Sequence, residues 1–167
     1  MWPNRKKKHE VKFPATYDNK QLVIKIARFL SLHRWRGKAL WTQDDTLEYI
    51  IMNRLSDRTY IESNKRYFRP DRPFHYNENS LYYADIGSSK WQSKLPSSWL
   101  YPLSVRLDIP WYHRLSSFAY SLDLKPGVAA RKIVEDTLRT PQALLLVVPG
   151  YTEERIKNEK IFNNQIR

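Results

Sequence analysis

Between Leu103 and Asp108 the apolar residues Leu103, Val105 and Leu107 alternate with Ser104, Arg106 and Asp108. A two-residue period of this kind predicts a strand with one dry face and one wet face. Asp108 stands where a helix N-cap is expected, Pro110 suits a first turn, and Leu115, Phe118, Ala119 and Leu122 recur at helical spacing. The helix should stop near Leu124, because Lys125-Pro126-Gly127 breaks the chain. Ala130, Ile133, Val134 and Leu138 then mark a second amphipathic helix, whose Arg131, Lys132, Glu135 and Asp136 are expected to face water.

The N-terminal third repeats this order. Val11-Lys12-Phe13 alternates, and Val23, Ile26, Ala27 and Leu30 match Leu115, Phe118, Ala119 and Leu122 at a constant offset of 92 (115 minus 23). Thr42 followed by Asp44 and Asp45 reads as a capped helix start. Leu47, Ile50, Ile51 and Leu55 match Ala130, Ile133, Val134 and Leu138 at an offset of 83 (138 minus 55). The offsets differ by nine (92 minus 83), so the first helix pair has the longer connection, around His33 to Lys38.

A lone strand needs a partner for its backbone. Two arrangements supply one: the strand around Val11 to Phe13 in the same chain, or Ser104 to Asp108 of a second copy. Pro14 lacks the amide that a ladder uses, which tilts the expectation toward a homodimer, with an intramolecular pseudo-dimer as the alternative.

The order short strand, helix, helix over residues 103–139 resembles the ribbon-helix-helix (MetJ/Arc-type) DNA-binding family, with residues 10–55 as a divergent second copy. The resemblance implies a mainly α fold with short β, its ribbon-helix-helix units joined by an aromatic, basic and irregular segment. It further implies an antiparallel ribbon lying in the major groove of double-stranded DNA with outward side chains on base edges. Carried onto this sequence, the base-reading positions are Ser104, Arg106 and Asp108, joined by Lys12 when the ribbon is intramolecular. The family's second helix aims its N-terminus at a phosphate, which falls here on the amides of Gly127 and Val128 beside Lys125.

Four regions follow: a helical unit at 1–55, a connecting segment at 56–101, a ribbon-helix-helix unit at 102–140 and an appendage at 141–167. From Ser56 to Tyr101 the helical period is lost, and turns with short strands are expected to pack on the helical units. There Lys65, Arg66, Arg69 and Arg72 interleave with Tyr67 and Phe68, which permits phosphate contact and base stacking or, equally, core aromatics with solvated cations. Ala143 to Val148 reads as a buried strand ending at Pro149-Gly150. The remainder reads as a short polar helix with Thr152 as N-cap, a place for a protein partner, for an oligomer contact or simply for cover over the core.

Charge adds the choice of partner. Lys and Arg number 29 against 17 Asp and Glu, a net charge of +12, which favours nucleic acid first, anionic membrane second and acidic proteins third. The longest apolar run, Ala143 to Val148, is far below the roughly 20 residues that span a bilayer, and the basic N-terminus lacks the apolar core of a signal peptide. No membrane partner is expected, and a cytoplasmic, nucleoid-associated protein is.

The absence of cysteine removes disulfides, thiolate metal sites and a Cys nucleophile. His9, His33, His75 and His113 show no metal-ligand spacing, and the four glycines form no phosphate cradle. Asp71 and Glu78 can be matched to a nuclease carboxylate pair only without its trailing Lys. The sequence therefore predicts neither an enzyme nor a cofactor. It predicts a sequence-specific binder of double-stranded DNA, either a transcriptional repressor or a mobile-element regulator. The alternatives are a DNA-anchoring adaptor of a plasmid partition or filament system and a non-specific RNA- or ribonucleoprotein-binding basic protein.

Overall fold

The computed structural model describes residues 8–93 and 100–151, so the polar helix expected beyond Thr152 lies outside the described residues. The fold is mainly helical, with small two-stranded antiparallel sheets. Strand β1 (Lys8–Ala15) leads into α1 (Tyr17–Leu32) and α2 (Gln43–Leu55), and β4 (Tyr101–Asp108) leads into α4 (Ile109–Leu122) and α5 (Pro126–Arg139). Between the two sets lie α3 (Arg58–Asn64) and a hairpin of β2 (Phe74–Asn77) and β3 (Ser80–Tyr82), and α6 (Pro141–Val147) follows.

β1 and β4 pair antiparallel inside one chain, from Lys8 opposite Asp108 to Ala15 opposite Tyr101. Val11, Phe13 and Ala15 from one strand and Leu103, Val105 and Leu107 from the other are buried on the shared inner face. The apolar positions matched at the two offsets are buried in all four long helices. Each half's second helix crosses to the other half's strand: α2 packs on β4, α5 packs on β1, and α2 and α5 pack on each other. The two halves therefore share one core.

The 92-residue offset also places Thr16, the N-cap of α1, on Asp108, the N-cap of α4. Thr16 accepts from the Asn19 amide at 3.2 Å, and Thr42 and Asp45 form a reciprocal capping box at the start of α2. Asp108, by contrast, makes no side-chain cap bond; Pro110 in the first turn fixes that helix start instead.

The strand-paired homodimer expectation is corrected by this pairing, and the Pro14 objection falls with it. The Arg106 amide donates to Asp44 Oδ1 at 2.8 Å, so the Glu10–Arg106 pair is of the non-hydrogen-bonded kind, with its N–H groups turned away from the partner strand. Such pairs alternate with bonded ones, and Pro14 lies four residues from Glu10, in the same phase. Its missing amide falls on the outer edge, where β4 asks nothing of it.

Three further expectations are overturned. The segment at 56–101 contains a helix, α3, whose N-cap Asp57 accepts from the Thr59 and Tyr60 amides. Its inner face is Tyr60, Ile61 and a buried Asn64, and the asparagine interrupts the apolar period. Ala143 to Val147 is helical, with Val148 as the non-helical C-cap: Pro141 at the first turn sets the helix start, and burial of Ala143, Leu144 and Val147 follows a helical face. Arg131, Lys132 and Glu135 do not face water but are buried, because α5 is covered on several sides, by α2 and β1, by α6 and by aromatic rings of the 56–101 segment.

The aromatics of that segment divide. Phe68 and Phe74 are fully buried and meet Phe118 edge-on at 6.0 and 5.6 Å, which joins the connecting segment to α4.

Candidate nucleic-acid interface

Alternation along β1 and β4 sends Lys8, Glu10, Lys12 and Pro14 outward from one strand and Pro102, Ser104, Arg106 and Asp108 from the other. Opposite pairs across this face are Lys8 with Asp108, Glu10 with Arg106, Lys12 with Ser104, and Pro14 with Pro102. The sequence-predicted base-reading residues Lys12, Ser104, Arg106 and Asp108 thus fall on one surface. Arg106 is 68 % exposed in its side chain, while Asp108 is half-buried with Oδ1 enclosed and unpartnered.

Lys12 and Ser104 are counterparts at the 92-residue offset and also face each other in the ribbon, so the pseudo-twofold axis passes between them. Symmetry of the backbone is not matched by the side chains. The counterpart of Arg106 is Pro14, and the counterpart of Glu10 is Pro102.

Both edges of the ribbon meet a helix N-terminus. At the β4 edge, Asp44 in the first turn of α2 accepts the Arg106 amide and lies 3.7 Å from its guanidinium. At the β1 edge, Gly127 in the first turn of α5 lies against the backbone of Lys12. The α2 end carries Asp44 and Asp45 and closes its own capping box, so it disfavours a further anion. The α5 end has no side-chain cap, an exposed Lys125 at its N-cap and the half-buried Gly127 and Val128 behind it.

Lys8 is drawn toward α2. Its ammonium donates to Glu48 at 3.1 Å, and that bond, against the opposing effect of burial, raises its pKa above the ordinary value of 10.5. Lys12 makes no ion pair among the described residues and is exposed at the ribbon centre.

The basic residues of the middle segment lie elsewhere. Lys65 pairs with Glu62 and Asp85, and the Arg66 Nε donates to the Ser63 carbonyl. Arg66 shares a pocket with Lys132, Asp136 and Arg139, near the opposite end of α5 from Gly127. The half-buried Arg69 is held through its backbone amide on the Ser121 carbonyl. Arg72 pairs with Asp123 at 2.9 Å and stacks over Tyr120. The structure therefore does not bring Lys65, Arg66 and Arg69 to the ribbon face with Lys125 and Gly127.

Sequence reasoning also missed a buried polar cluster on that opposite side. Tyr60 donates to Asp136 at 2.7 Å and Lys132 donates to the same carboxylate at 2.6 Å. Alternating a polar with an apolar stripe on α5 gave no reason to expect this, since the signal sits on α3 and in Trp91, far away in sequence.

No helix among the described residues is long and apolar enough to cross a membrane. No family model, curated protein or solved structure matches this chain.

Proposed function

We propose that this chain binds double-stranded DNA in the ribbon-helix-helix manner, with both strands of the ribbon supplied by one polypeptide. The observation that supports the reading is the intramolecular β1–β4 ribbon, dry beneath and polar above, flanked at its two edges by helix N-termini. A two-stranded ribbon fits the major groove, whose width is about 12 Å. Its outward chemistry suits base edges: Arg106 and Lys12 as donors to guanine, Ser104 to either partner, and Glu10 or Asp108 as acceptors from cytosine.

Phosphate contact is assigned to one flank. The uncapped α5 end with Lys125 offers amides and a cation, whereas Asp44 and Asp45 repel phosphate from the α2 end. The reading is of sequence-specific recognition, in a repressor or a mobile-element regulator.

Selection of bound duplexes from a randomised pool, followed by titration at several salt concentrations, tests this. The expected result is a short consensus bound far more tightly than random duplex, with a modest salt slope. A steep slope with no preference among duplexes would instead assign the basic surface to non-specific polyanion binding. No binding at low salt would remove the DNA reading altogether.

A further inference from the structure

On the side of α5 away from the ribbon's phosphate flank lies an open cavity of about 370 Å³ between α3, α5 and Trp91. That volume is at the lower end of the range typical of small-molecule sites. Four cations line it, Arg54, Arg66, Lys132 and Arg139; Asp136 holds Lys132, Asp57 pairs with Arg54, and Glu135 lies 3.9 Å from Arg139. Three of the cations are guanidinium groups, whose planar forks suit a tetrahedral oxyanion.

The wall is built rather than incidental. Asn64 is 2 % exposed, and its Nδ2 donates to the Tyr60 carbonyl while its Oδ1 has no partner. Arg54 is 7 % exposed; one terminal nitrogen pairs with Asp57, and its Nε has no partner. Both atoms are closed to solvent, so they belong to the packed wall beneath the cavity and not to the surface an occupant would touch. Tyr67 and Trp91 add planar surface.

From the cations and the planar side chains that line the cavity, the geometry points to a binding site for a small phosphorylated molecule that also carries a planar ring, as a nucleoside monophosphate does. The phosphate sits between the exposed guanidinium groups of Arg66 and Arg139, and the ring lies along Tyr67 and Trp91. The electrostatics agree. Burial first, and then the neighbouring charges of Arg54 and Arg66, lower the Lys132 pKa even though Asp136 acts to raise it. An anion among these cations relieves that repulsion. The site does not depend on the DNA reading.

Calorimetric titration of the full chain with adenosine monophosphate, adenosine and inorganic phosphate tests it. The expected result is saturable binding of the monophosphate, about tenfold or more weaker for adenosine and for phosphate alone. Arg66→Gln and Arg139→Gln alter pocket cations on exposed residues, and each should weaken monophosphate binding by about tenfold while the melting temperature holds. Binding of the monophosphate no tighter than adenosine would overturn the site. So would affinity unchanged in both variants, or affinity lost instead on Lys12→Ala, which would move the anion to the ribbon. Phosphate bound as tightly as the monophosphate would overturn the assignment of the ring.

Discussion

A Cβ placed on Gly127 would lie 2.5 Å from the carbonyl oxygen of Lys12. The first turn of α5 thus rests directly on the β1 backbone at the centre of the ribbon, and only glycine allows that approach. Gly127→Ala sets two effects against each other. Alanine gains up to about 1 kcal/mol in helix propensity, but the obstacle is backbone, which cannot rotate aside. The clash should win, with a net loss of about 1–3 kcal/mol in urea denaturation. A variant as stable as the parent would show that α5 can move off the strand at no cost.

Arg106→Ala should leave stability almost unchanged and weaken binding to the selected duplex by about 1–3 kcal/mol, with relaxed preference at one base position. The Arg106 bond to Asp44 uses the backbone amide, which alanine retains, and the lost side-chain ion pair is exposed. Equal losses on specific and random duplex would make Arg106 a phosphate contact. Loss of folding would mean that the outward guanidinium is structural.

Phe118 is fully buried and surrounded by Tyr60, Phe68 and Phe74, each within 6.1 Å between ring centroids. Phe118→Ala should cost about 3–5 kcal/mol, because it removes the joint between α4 and the connecting segment and leaves a cavity that rigid rings cannot fill. A melting temperature within a degree or two of the parent would contradict that packing.

The strand and helix faces were legible because their cause is local. Alternation at Leu103–Asp108 and helical spacing at Leu115–Leu122 depend only on which side of one element is dry. Pro14 was misjudged because the cost of a proline depends on which edge its nitrogen faces, and that is decided by the partner strand's phase. Lys132 was misjudged because its cover comes from Tyr60, Tyr67 and Trp91, whose rings lie 5.1–5.8 Å from its ammonium and which the α5 pattern cannot announce. The ribbon residues were found by their period. The cavity residues, drawn from α2, α3 and the turn after it, α5, the start of α6 and the loop between β3 and β4, have no period to show.

The buried cluster gives a pH dependence. Burial first, and then the Asp136 charge, hold the Tyr60 phenol well above its ordinary value of 10.0. Above that value the unfolded chain releases this proton and the folded chain keeps it, so the Tyr60 contribution is complete below 10 and is lost as pH rises. Lys132 acts in the opposite sense, since its lowered pKa lets the folded chain release a proton first and adds stability as pH climbs toward 10.5. Comparison of the parent with Tyr60→Phe isolates the phenol. Between pH 9 and pH 11 the parent should lose stability faster than the variant, by up to about 1.4 kcal/mol per pH unit. Parallel curves would show that the phenol ionises as readily in the fold as outside it.

The DNA site should be asymmetric, because one chain supplies both strands of the ribbon. A ribbon can recruit a second copy only through an open edge, where unpaired backbone groups wait for a strand. Here the β4 edge is held by Asp44 on the Arg106 amide, and the β1 edge lies under Gly127 at the Lys12 carbonyl. Strand pairing with another chain would have to break one of these contacts, so sedimentation across a dilution series should show no dimer formed through the ribbon. The pseudo-twofold axis between Lys12 and Ser104 relates Arg106 to Pro14, and Glu10 to Pro102, so the two halves of the groove-facing surface carry different chemistry. A site read by that surface should be non-palindromic, with the stronger phosphate protection on the flank next to Lys125. A palindromic footprint would require two chains on the DNA. If the free protein also sedimented as a dimer that dissociated on Asp44→Lys, the single-chain ribbon would be wrong.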